Sequence, residues 1–107
     1  MNEKEFLLAL KRTKRQYYWS LDSRGNIRAR ARNHFVGDVK DNCFCPITAV
    51  GRFNRKGTVP ISIPGQVGFK LGICLNMEDS IVRGADMDSN RGHAQVIRGR
   101  MRRVLGI

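Results

Sequence analysis

Residues 17–32 read Tyr17-Tyr18-Trp19-Ser20-Leu21-Asp22-Ser23-Arg24-Gly25-Asn26-Ile27-Arg28-Ala29-Arg30-Ala31-Arg32, and the fold class turns on them. Three aromatic residues in a row favour extended backbone, because flat and branched side chains fit a pleated surface. Asp22 to Asn26 is a run of turn formers, and from Ile27 onward apolar and basic residues alternate. That order predicts an antiparallel β-hairpin. In its second strand Ile27, Ala29 and Ala31 face one side and Arg28, Arg30 and Arg32 the other, since successive strand side chains alternate. Three guanidinium groups on one face repel one another, so the pattern asks for an anion, and Asp22 is the one acid the segment supplies. The two readings are an arginine ladder that faces a ligand and a strand face that is simply solvated.

Before the hairpin, Phe6, Leu7 and Leu10 recur at helical spacing, with acids at the start and Lys11, Arg12, Lys14 and Arg15 at the end, which predicts a dipole-matched helix from Glu3 to about Gln16. After it, Cys45-Pro46-Ile47-Thr48-Ala49-Val50 starts a short buried helix, because proline suits the first helical position. Residues 54–68 carry two of the three prolines and read as an irregular insert. A short helix is expected over Gln66 to Leu71, and another from Met77 to about Asp86 capped by Asn76. A closing helix from Gly92 to Leu105 places Ala94, Ile97, Met101, Val104 and Leu105 on one stripe, with Arg91, Arg98, Arg102 and Arg103 away from it and Arg100 on the flank. The predicted class is α+β, one antiparallel β-hairpin packed with four or five short helices in a single domain spanning residues 1–107.

A chain of 107 residues is long enough for one core and too short for a two-domain enzyme. Its 20 Lys and Arg against 9 Asp and Glu leave a net charge of +11, a surface that attracts polyanions. The charge is clustered. Residues 11–32 sum to +7, 52–70 to +4 and 91–107 to +5, whereas 71–90 sum to −3. Three cysteines are an odd number and make no secreted disulfide framework, so a cytoplasmic protein is expected. No stretch approaches the roughly 20 apolar residues of a membrane span, and no membrane partner is expected.

The sequence predicts no enzyme, no metal and no cofactor. Cys43, Cys45 and Cys74 lack the paired spacing of a zinc site and sit among apolar residues, which makes them core thiols. No Ser, Cys or His shows triad spacing, and no glycine-rich turn is followed by Lys-Ser or Lys-Thr. What stands out is aromatic rings beside cations in one hairpin, the combination that neutralises phosphates and stacks bases. The candidate nucleic-acid contacts are Lys11, Arg12, Lys14, Arg15, Arg24, Arg28, Arg30, Arg32, Arg98, Arg102 and Arg103, with Tyr18 as the stacking ring.

Trp19 before Gly25-Asn26-Ile27-Arg28, then Cys45-Pro46-Ile47-Thr48-Ala49-Val50, Leu71-Gly72, Ile81-Val82-Arg83-Gly84-Ala85-Asp86 and an Arg-rich end closing in Leu105-Gly106 resemble small uncharacterised proteins of phages and bacteria. The resemblance carries over no activity and no residue role. It implies a phage accessory protein, located in the host cytoplasm, of a kind that acts by binding something of the host. Three functions therefore stand as expectations, in this order: binding of nucleic acid through its phosphate backbone, inhibition of an acidic or nucleic-acid-processing host protein, and, last, a small metal protein or enzyme.

Overall fold

The computed structural model describes residues 1–13, 20–21, 27–28, 45–53, 64–85 and 92–106. They form an all-helical fold, and the α+β expectation is corrected. Five helices follow one another: α1 (Glu3–Thr13), α2 (Pro46–Arg52), α3 (Pro64–Lys70), α4 (Leu75–Ala85) and α5 (Gly92–Leu105). At the expected hairpin, two residues on each side pair antiparallel, Ser20 with Arg28 and Leu21 with Ile27. Two pairs make no sheet layer, and an isolated two-stranded ladder is marginal even when longer. Tyr17, Tyr18, Trp19, Arg30 and Arg32 lie outside the described residues, as do the side chains of Ile27 and Arg28.

α1 begins with a reciprocal cap. The Glu5 amide donates to Asn2 Oδ1 at 2.9 Å and the Asn2 amide donates to Glu5 Oε1 at 3.1 Å, so two donors that a helix start leaves unpaired are satisfied together. Phe6 and Leu10 are fully buried from this helix, and Leu7 packs at the margin of the core. α2 is the centre. Pro46 opens it as expected, and all residues from Pro46 to Gly51 are buried, because this helix packs against α1, α3 and α4. A short helix whose buried stretch carries only one polar side chain, Thr48, has to be enclosed in this way, with the charged Arg52 left at its exposed end.

α3 starts at Pro64, inside the stretch expected to be irregular, and α4 starts at Leu75, so Asn76 lies in its first turn and does not cap it. The turn between them, Leu71 to Cys74, contains Gly72 at φ +72°, a left-handed conformation that glycine adopts without steric cost. The amino group of Met1 donates to the carbonyls of Leu71 and Gly72, each at 2.7 Å, and so ties the start of the chain to this turn. Val67, Leu71, Ile73 and Ile81 are buried from α3, the turn and α4. α5 has the expected boundaries and the expected stripe, with Ala94, Ile97 and Met101 buried and Val104 and Leu105 packed against the core. Each large apolar side chain fully withdrawn from water contributes about 1.5–3 kcal/mol. Among the described residues no helix is long and apolar enough to cross a membrane.

α4 and α5 meet most closely at Gly84. A methyl group there would lie 2.8 Å from the Ala94 carbonyl oxygen and 2.9 Å from Ile97 Cγ2, so the absence of a side chain lets the two backbones touch. Arg98 Nε then donates to the Gly84 carbonyl at 2.7 Å, satisfying an acceptor that the end of α4 would otherwise leave open. Gly99, on the same helix as Arg98, has nothing within 4 Å of its would-be methyl group. Gly84→Ala is therefore expected to destabilise by about 1–3 kcal/mol through overpacking, and Gly99→Ala to stabilise by up to about 1 kcal/mol through helix propensity. Urea unfolding of the two variants checks the pair. Equal effects would contradict the packing at Gly84.

Candidate nucleic-acid interface

Two helices from opposite ends of the chain build one groove. On α1, Lys4, Leu7, Leu8 and Lys11 share a face, since residues three, four and seven apart stack on a helix; on α5, Arg100 and Val104 do the same. With Asn2 and Glu3 these side chains line a groove of about 600 Å³. Three of the lining residues are cationic and three apolar. Glu3 accepts a hydrogen bond from Arg100 Nη1 and joins the two helices at one end of the groove. No acid among the described residues lies in salt-bridge range of Lys4, Lys11, Arg12, Arg102 or Arg103.

The residues singled out from the sequence fall into three groups. Lys11 and Arg12 are exposed in the last turn of α1, and Lys11 reaches the groove. Arg98, Arg102 and Arg103 are on α5: Arg103 is exposed, Arg102 half-buried, and Arg98 has its Nε on the Gly84 carbonyl. Lys14, Arg15, Tyr18, Arg24, Arg30 and Arg32 lie outside the described residues, and of Arg28 only the backbone is placed, opposite Ser20. The structure adds Lys4 and Arg100 to the set. Lys4 and Lys11 lie about two turns apart with Leu7 and Leu8 between them, a pattern that also suits a core-facing stripe and so does not by itself mark a groove.

A polar chain connects the groove to α4. Ser80 Oγ donates to the Asn76 carbonyl at 2.9 Å, His93 Nδ1 lies 2.9 Å from Ser80 Oγ, and His93 Nε2 lies 3.9 Å from Glu3 Oε2, next to Arg100. The order serine, histidine, carboxylate resembles that of a hydrolase triad; the Ser80 hydroxyl is within bonding distance of both its own helix and the His93 ring, whose tautomer sets which of the pair donates. The cluster acts as a tie between α4, α5 and α1.

The thiols differ in environment. Cys45 is buried and its pKa is raised to about 11, chiefly by burial, so it stays a protonated thiol at neutral pH. Cys74, expected in the core, is instead exposed in the α3–α4 turn, where its neighbours Ile73 and Leu75 do not cover it, and Cys43 lies outside the described residues. Among the described residues no three His, Cys, Asp or Glu side chains are grouped to hold a metal ion.

The outer side of the α3–α4 pair is polar and apolar by turns. Phe69 is 85% exposed and Leu75 78%, Asn76 is exposed, and Asp79 Oδ1 pairs with Arg83 Nε at 3.0 Å in the open. Glu78 points the other way. A methyl group on Gly68 of α3 would lie 3.4 Å from Glu78 Cγ, so this acid sits in the contact between the two helices. No protein-family model, no curated protein and no solved structure matches the sequence.

Burial and then the neighbouring Asp79 raise the Glu78 pKa above its ordinary 4.5. The folded state thus holds the Glu78 proton more tightly than the unfolded state, and this contribution to stability is full below 4.5 and lost as pH rises through the raised value. Glu78→Gln keeps the shape and removes the titration. Its melting temperature is expected to exceed that of the parent at about pH 7 and the gap to close by about pH 4; a gap independent of pH would contradict the placement of Glu78.

Proposed function

We propose that this chain is a small, basic, non-enzymatic protein of the cytoplasm, the host cytoplasm if it is phage-encoded, that binds nucleic acid through the phosphate backbone. The observation that supports this most is the gathering of cations from α1 and α5 around one groove, with Lys4 and Lys11 unmatched by any acid among the described residues. Fold stability gives little reason for them. A cation in the last turn of a helix gains about 0.3–1 kcal/mol from the dipole, and Lys4, in the first turn of α1, gains nothing from it. Like charges three or four residues apart, as in Arg98 and Arg102 or Arg100 and Arg103, cost a similar amount. Phosphates outside the protein offset that repulsion, and the release of their counterions drives binding.

A second reading is favoured by one feature of the same groove. Leu7, Leu8 and Val104 lie between the cations, and apolar side chains gain nothing from a phosphodiester chain. They suit a protein partner that presents acids flanking apolar residues, as an inhibited host protein would.

Fluorescence anisotropy with labelled oligonucleotides separates the two. Log affinity is expected to fall linearly with log salt at about 0.7–0.9 per phosphate neutralised, and Lys4→Ala with Lys11→Ala to flatten that slope by about 1.4–1.8 while weakening every sequence alike. Absence of binding at about 50 mM salt, with a stoichiometric protein retained from nuclease-treated host lysate, would overturn the nucleic-acid reading in favour of the second.

A further inference from the structure

We infer that the groove between α1 and α5 takes a segment of single-stranded nucleic acid, with phosphates on Lys4, Lys11 and Arg100 and base faces on Leu7, Leu8 and Val104. The inference rests on the nucleic-acid reading above and assigns that same groove a substrate class. It starts from the order of side chains along α1. Lys4 and Lys11 are separated by about 10.5 Å of helix rise, and Leu7 and Leu8 occupy the interval. On α5 the pairing recurs, with Arg100 about one turn before Val104. Both walls therefore set cations beside an apolar strip.

Little of the positive charge is neutralised from within. Glu3 is the one acid among the lining residues, and Arg100 already bonds it. A guanidinium has five N–H donors, so that bond leaves the exposed Arg100 able to meet a phosphate as well. Lys4 and Lys11 are exposed, and no acid among the described residues lies in salt-bridge range of either. The cations also continue along both helices. Arg12 follows Lys11 in the last turn of α1 and Arg103 stands in the last turn of α5, both exposed. A row of cations longer than the apolar strip suits a ligand charged at every unit.

The strip separates a single strand from a duplex. Leu8 is 47% exposed and Leu7 and Val104 are half-buried, so an occupant gains from them only by covering them with apolar surface of its own. A duplex stacks its base faces inward and presents phosphates and groove edges. Unpaired bases can lay their faces on the strip while the phosphates reach the flanking lysines. Size agrees with this. The groove holds about 600 Å³ between helices that pack on each other, and packed helices run only about 8–10 Å apart. A double helix, whose major groove alone is about 12 Å wide, does not enter such a cleft. Leucine and valine carry no donor or acceptor for base edges, so the site is expected to be indifferent to sequence.

The test is fluorescence anisotropy on the full chain at about 50 mM salt. The probes are a mixed-sequence DNA strand of about 16 nucleotides, the same strand annealed to its complement, and an abasic strand of equal length. The mixed-sequence strand is expected to bind about 10-fold or more tightly than the other two. Leu8→Gln, an exposed position given another good helix former, should weaken that strand by about 3- to 10-fold and leave its salt slope unmoved. Leu75→Gln, which removes an apolar side chain 78% exposed on α4 and outside the groove lining, should change none of the affinities. If the duplex or the abasic strand binds as tightly as the mixed-sequence strand, or if Leu8→Gln has no more effect than Leu75→Gln, the inference is overturned while backbone binding stands. If no probe binds, the proposed function falls and takes the inference with it, leaving the groove to the acidic protein partner of the second reading.

Discussion

The contact on which the rest of the structure depends is the touch of α4 and α5 at Gly84. Any side chain there would collide with the Ala94 carbonyl and Ile97, and the arginine that closes the junction, Arg98, also caps the end of α4. Once α5 is laid across α4 in this way, His93 is brought to Ser80 and Arg100 to Glu3. Those ties orient α1, and the groove between α1 and α5 follows. A small buried site thus determines an exposed one, through rigid helices and not through any contact of its own with a ligand.

The α3–α4 pair is organised by a second constraint, the burial of α2. A seven-residue helix has too few backbone hydrogen bonds to persist alone, and α2 exists because α1, α3 and α4 enclose it. The enclosure works in both directions. It positions α3 against α4 across a turn that only a left-handed glycine closes easily, with Gly72 also bonded through its carbonyl to the Met1 amino group. The core therefore links the start of the chain, the turn between α3 and α4, and the helix α1 that builds the groove with α5.

Much of the helical layout was legible in the residues. Pro46 announced α2, the stripe Ala94, Ile97 and Met101 announced α5, and the acidic start of α1 matched its dipole. The class was misread because alternation and aromatic runs describe what a segment would suit as a strand, not whether a second layer exists to cover it, and the pairing extends over only Ser20–Leu21 and Ile27–Arg28. α3 was half hidden by Gly65 and Gly68, poor helix formers in its interior whose positions lie against Glu78 of α4, while Pro64 opens the helix as Pro46 opens α2. The cap formed by Asn2 and Glu5 was readable from its spacing. The Arg98–Gly84 bond and the Ser80–His93–Glu3 chain were not, since they join residues that only the tertiary fold makes neighbours.

The central claim is that the cations of α1 and α5 around their shared groove bind nucleic acid. Amide chemical-shift mapping of the isotope-labelled chain, titrated with a short DNA oligonucleotide, tests it most directly. The account predicts that shifts concentrate on Lys4, Lys11 and Arg100, while the enclosed residues of α2 stay unmoved. Shifts confined to other faces of the molecule, or none at saturating oligonucleotide, would contradict it.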